Sequence, residues 1–82
     1  MTPRIFLFSQ PNCLSCEVVR MYLEIREIAF EERDISDPQI LSELLDTYQA
    51  TGAPAVVIIT AAGAEVIEGF NPDRIDQCLS AA

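Results

Sequence analysis

A short apolar run, Arg4-Ile-Phe-Leu-Phe8, stops at Pro11-Asn12 and gives way at once to a segment with helical hydrophobic spacing. This junction constrains the fold more than any other feature. The run carries the aromatic and β-branched content of a buried strand. From Leu14 to Glu27 the apolar positions Val18, Val19, Tyr22, Leu23 and Ile25 make one wide helical face, and Glu17, Arg20, Glu24 and Glu27 lie mainly on the other. A strand feeding a helix needs a second strand to return to, and the sequence at 29–34, AFEERD, supplies a short one with a wet outer face. Strand, crossover helix and strand make a right-handed parallel unit.

The remainder reads with similar clarity. Ser36 or Asp37 caps a second helix whose first turn holds Pro38, where no amide donor is required. Ile40, Leu41, Leu44, Leu45 and Tyr48 repeat through it at helical spacing, and Thr51-Gly-Ala-Pro54 breaks it. AVVIIT at 55–60 is continuous enough to be a central strand buried on both faces. AAGA turns the chain, and EVIE at 65–68 returns as a hairpin partner. Asn71-Pro72 opens a last helix with Ile75, Cys78 and Leu79 inward. The expected order is β-α-β-α-β-β-α, an α/β chain with a four-stranded mixed sheet flanked by helices on both faces, in one module covering residues 1–82.

Two cysteines, Cys13 and Cys16, fall at the strand-to-helix junction. Thiols at this spacing close a small disulfide ring. The first one faces the unpaired N–H groups and positive dipole end of the helix, which favour its thiolate. Cys13 is therefore assigned as the attacking thiol. Cys16, one turn further in and more buried, is assigned as the thiol that resolves the mixed disulfide. Pro11 fixes the entry turn. The competing reading is half of a zinc site, but a closed site needs four ligands, commonly Cys and His. The chain has no histidine and one further cysteine, Cys78, on the inward face of the last helix. Redox use is the better reading, with no metal ligand assigned, and Cys78 acts as a small apolar residue. Pro54 leaves the start of the best strand without a ladder donor, and a cis peptide between Ala53 and Pro54 would turn the backbone of Ala53 towards an extended substrate.

Composition narrows the partners. Thirteen acids oppose five basic residues, all arginines and all scattered, for a net charge of −8. No phosphate-tracking stripe exists, so nucleic acid is not an expected partner. No apolar run is long enough to cross a membrane, and the N-terminal apolar stretch is too short for a signal-peptide core. A cytoplasmic monomer is expected, where a vicinal cysteine pair is catalytic rather than structural.

The segments SQPNCLSC, TGAP before a Val/Ile strand, and EGFNPDRID together resemble the glutaredoxin family of the thioredoxin-like fold over nearly the full chain. They are most similar to the NrdH-type glutaredoxin-like redoxins that reduce ribonucleotide reductase. The resemblance implies a thiol–disulfide oxidoreductase that reduces protein disulfides. Its active thiols would fall on Cys13 and Cys16 and its cis-proline on Pro54. The Gly-Phe turn before a Pro-Asp helix start would fall on Gly69, Phe70, Asn71, Pro72 and Asp73, giving Pro11, Ala53, Pro54, Gly69 and Phe70 as the substrate-binding set. No bound cofactor is implied. Electrons would come from NADPH through thioredoxin reductase, or from glutathione.

The chain departs from the glutathione-using members. Gln10 stands where they carry a lysine, Leu14 and Ser15 replace an aromatic residue between the cysteines, and Gly69-Phe70-Asn71 replaces the turn that holds the glutathione carboxylate. TGAP also differs from the usual Thr/Ala-Val-Pro or Gln-Ala-Pro. These departures favour the reductase over glutathione. The alternatives are a glutathione-dependent glutaredoxin and a dimer bridging an iron–sulfur cluster through Cys13.

Overall fold

The computed structural model describes residues 3–81. Strand β1 spans Arg4–Ser9, helix α1 Leu14–Ile25, β2 Glu31–Asp34, α2 Pro38–Ser42, β3 Ala55–Thr60, β4 Gly63–Glu68 and α3 Pro72–Ala81. Helix α2 runs directly into a π-helical turn, Glu43–Thr47, closed by the Tyr48 N–H donating to the Glu43 carbonyl at 3.3 Å. The order matches the expected β-α-β-α-β-β-α.

The sheet runs β2-β1-β3-β4. β1 pairs with β2 in parallel, Phe6 beside Glu31, and with β3 antiparallel, Phe8 beside Ala55. β3 and β4 form the hairpin, with Thr60 opposite Gly63 and Ala55 opposite Glu68. The parallel β2 is the edge that α1 crosses to reach, as a right-handed crossover requires.

Alternation along β1 and β3 divides the core into two layers. On one face Ile5, Leu7, Val56, Ile58 and Ile67 pack against Val19 and Leu23 of α1 and Ile75 of α3. On the other, Phe6, Phe8, Ala55 and Val57 pack against Leu44 and Ala50, with Ile40 and Tyr48 at the margin. Apolar residues on both faces of β1 and β3 are what a sheet covered on both sides demands. Cys78 and Leu79 pack partly buried against the first layer, as their spacing predicts.

Local signals set the boundaries. The Asp37 carboxylate accepts from the Gln39 N–H at 2.9 Å and caps α2, with Pro38 at its first position. Asn71 Oδ1 accepts from the Arg74 N–H at 3.3 Å ahead of α3. Helix α1 ends at Arg26 and Glu27, the latter at φ 56°.

Three sequence expectations are corrected. Val18 and Ile25 do not face the core: the buried strip of α1 is Cys16, Val19 and Leu23, and Ile25 is 74% exposed. The second strand begins at Glu31 rather than Ala29, and β4 begins at Gly63 rather than Glu65.

Candidate functional site

β1 ends where β3 begins and β4 finishes, so three separate segments meet at one end of the sheet: the loop carrying Pro11 to Cys13, the Thr51–Pro54 loop, and the Gly69–Phe70 turn. The cysteine spacing points to the first, the proline before the strand to the second, and the family resemblance to the third. The strand pairing brings them together.

Asn12 takes a left-handed conformation, φ 55°, and swings the chain from the exposed Pro11 into α1. Cys13 occupies the cap position with extended backbone, and its Sγ accepts from the Cys16 N–H at 3.1 Å. An unpaired first-turn N–H directed at sulfur stabilises negative charge there. Cys13 and Cys16 are joined as a disulfide across a Cα–Cα distance of 5.2 Å. Cys13 is half-buried, while Cys16 is wholly buried. Cys13 therefore stays partly open to solvent, while Cys16 faces the interior.

The Ala53–Pro54 peptide is cis, as expected. Pro54 is buried, and its carbonyl accepts from the Gly69 N–H at 2.9 Å. Gly69 has φ 73°, a left-handed conformation that glycine adopts without the strain a side chain would bring. Among the described residues, no backbone hydrogen bond occupies the N–H or carbonyl of Ala53. Phe70 is 46% exposed and sets its ring edge-on against Tyr22 with centroids 5.7 Å apart.

Two groups that support this end of the sheet escaped sequence reasoning. Glu68 accepts from the Thr51 N–H at 2.9 Å and the Thr51 hydroxyl at 2.8 Å, tying the Thr51–Pro54 loop to β4. The Thr51 N–H, and next its hydroxyl, hold the Glu68 carboxyl below its ordinary range. Tyr22 donates to Asp76 at 2.7 Å and accepts from Arg26 at 2.7 Å, linking α1 to α3 behind Phe70. The bond to Asp76 raises the Tyr22 hydroxyl and lowers the Asp76 carboxyl. These partners stand 17 and 54 residues apart, and no local signal announces either. On the neighbouring strands, Glu32 accepts from Arg20 at 2.8 Å and from Ser9 at 2.8 Å, and the Arg20 bond leads in holding its carboxyl low.

A family model described as glutaredoxin matches residues 5–60. The chain belongs to the glutaredoxin family. It is 32% identical over 79 residues to the SPbeta prophage-derived thioredoxin-like protein YosR of Bacillus subtilis, covering 93% of this chain and 94% of that one. Among solved structures, the thioredoxin-like protein BC3987 superposes with a TM-score of 0.78 at 32% identity, covering 90% of this chain and 97% of the other. The glutaredoxin-like protein NrdH-redoxin from Escherichia coli superposes with a TM-score of 0.70 at 26% identity, covering 90% and 92%. With the Cys13–Cys16 pair in place, this glutaredoxin-family member is a thiol–disulfide oxidoreductase acting on disulfide substrates. Among the described residues, no helix is long and apolar enough to cross a membrane.

Proposed function

We propose that this glutaredoxin-family protein, a single domain over residues 1–82, is a monomeric cytoplasmic carrier that reduces protein disulfides with Cys13 attacking and Cys16 resolving. The contrast between half-buried Cys13 at the helix cap and wholly buried Cys16 carries this reading. In the reduced protein the Cys13 thiolate attacks one sulfur of the substrate disulfide. The other substrate sulfur leaves as a thiolate, and a mixed disulfide remains. Cys16 then attacks Cys13 Sγ, the second substrate thiol departs, and the Cys13–Cys16 disulfide holds the oxidation. Two electrons from a donor restore the dithiol.

The free backbone of Ala53 beside cis-Pro54 suits main-chain pairing with an extended substrate segment. Pro11, near Cys13 in sequence, and Gly69 with the exposed ring of Phe70 at the same end of the sheet complete the proposed substrate-binding set. Ribonucleotide reductase is the candidate substrate by likeness to NrdH-redoxin.

The donor in this proposal is NADPH through a thioredoxin-reductase-type flavoprotein rather than glutathione. Each of the five arginines is engaged by a carboxylate: Arg4 by Glu31, Arg20 by Glu32, Arg26 by Asp76, Arg33 by Glu43 and Arg74 by Glu65. Among the described residues, no arginine is left uncompensated for the carboxylates of an anionic tripeptide. The NrdH-redoxin of Escherichia coli is described as having a thioredoxin-like activity profile, which supports the same choice.

Trapping tests the thiol roles. Cys16→Ser should accumulate a Cys13–substrate adduct on non-reducing gels, whereas Cys13→Ser should form none; equal turnover of both variants overturns the assignment. Offering the oxidised protein NADPH with thioredoxin reductase, or glutathione with its reductase, tests the donor. Turnover with glutathione alone overturns it.

A further inference from the structure

Six large apolar side chains of the described residues stand substantially exposed, and four of them, Leu14, Val18, Met21 and Ile25, lie on α1. Their spacing of four, three and four residues aligns them in one stripe, opposite the buried strip of Cys16, Val19 and Leu23. Single exposed hydrophobes need no explanation, but a continuous row does. The row runs about 17 Å along the helix at 1.5 Å per residue. It begins at Leu14, between the two cysteines, and Phe70 and Tyr22 continue the apolar surface to one side.

This spacing is that of a coiled-coil seam, in which alternate three- and four-residue steps keep one stripe against a facing helix. The positions flanking such a seam decide which helix it accepts. On one flank stand Glu17 and Glu24, and among the described residues neither carboxylate accepts a hydrogen bond or forms an ion pair. The other flank holds Ser15 and Tyr22. The nearest cations are already compensated, Arg20 by Glu32 and Arg26 by Asp76. The seam is thus apolar with an acidic border. A second copy fits poorly: antiparallel pairing would set Glu17 against its mate's Glu24, and each chain brings a net charge of −8.

We propose that the Leu14–Val18–Met21–Ile25 face of α1 docks an amphipathic helix of a partner protein that has an apolar stripe flanked by lysine or arginine. Docking there holds the partner along the whole helix, with one end beside Cys13. It uses no thiol chemistry, so it stands or fails separately from the roles assigned to Cys13 and Cys16.

The test is a titration of the isotope-labelled, oxidised full chain followed by amide chemical shifts. The probe is a synthetic helix about three heptads long with leucine along the seam and lysine on both flanks. Controls are the same helix with glutamate flanks and a scrambled lysine peptide of identical composition. Saturable binding of the lysine helix alone is expected, with shifts centred on Leu14, Val18, Met21 and Ile25. Val18→Gln with Met21→Gln should weaken it at least about tenfold. Glu17→Lys with Glu24→Lys should transfer the preference to the glutamate-flanked helix. Equal binding of the scrambled peptide, or shifts elsewhere on the molecule, overturns the proposal. So does a concentration-dependent dimer in sedimentation that Val18→Gln with Met21→Gln abolishes, since the face would then belong to a second copy.

Discussion

Leu23 and Ile25 are two residues apart on α1 and differ in almost everything the fold asks of them. Leu23 is 0% exposed, within the layer formed with Leu7, Val56 and Ile75, whereas Ile25 is 74% exposed. Truncating Leu23 to alanine removes three carbons. At about 0.8 kcal/mol per buried methylene the transfer contribution is about 2.4 kcal/mol. The sheet behind it is held by strand pairing and relaxes little, so the cavity left behind raises the total to about 3–4 kcal/mol. A chain of this length has about 4–12 kcal/mol of stability, so the loss is a large fraction of the whole. It corresponds to a fall in Tm of roughly 15–25 °C.

Ile25→Ala should change stability by less than about 0.5 kcal/mol, because solvent already surrounds the side chain and alanine is the better helix former. Urea unfolding of the oxidised protein measures both, with the midpoint shifting and the slope unchanged. If the two variants lose equal stability, or if Ile25→Ala loses more, the rotational phase of α1 is wrong. The burial of Cys16 and the exposed stripe on α1 would fall with it.

Glu68→Gln removes the charged acceptor from Thr51, and the loop holding cis-Pro54 loses its tie to β4. KM for a protein disulfide should rise about threefold to tenfold with kcat little changed; an unaltered KM would show that the tie does not position the loop. Because the folded Glu68 carboxyl titrates below its ordinary value, its stabilisation is complete above the unfolded value of about 4.3. It is lost as pH falls through the lower folded value, so the stability gap to Glu68→Gln should narrow in acid. Tyr22→Phe keeps the ring against Phe70 and deletes only the hydroxyl. The folded Asp76 value is lowered and the folded Tyr22 value raised. The difference from the parent should therefore be level from about pH 5 to 9 and shrink in acid and above about pH 10. An equal difference at pH 3 and pH 7 would show that no carboxylate accepts from Tyr22.

Much of this arrangement is legible in the residues themselves. The turn at Pro11-Asn12, the cap and proline at Asp37-Pro38 and the apolar continuity of AVVIIT are local signals with local causes, and each appears where the sequence places it. The orientation of α1 was only partly legible. Apolar residues occupy both its sides, and hydropathy alone cannot say which side meets the sheet. Packing against the sheet and Ile75 buries Cys16, Val19 and Leu23 and leaves Val18 and Ile25 outside. Thr51 with Glu68 and Tyr22 with Asp76 depend on strand and helix pairing across the chain, which a linear reading does not reach.

The gathering of three loops at one end of the sheet places the turn between β3 and β4 at the opposite end. There β3 turns into β4 through Ala61 and Ala62, both exposed and far along the strands from Cys13 and Pro54. A fluorescent label or an affinity peptide spliced between these alanines would ride on the molecule away from Cys13 and Cys16, beside the cavity that Ala62 shares with Cys78. The same hairpin tip would anchor the protein to a solid support with Cys13 facing solution, so that its mixed disulfides could be collected from a flowing sample.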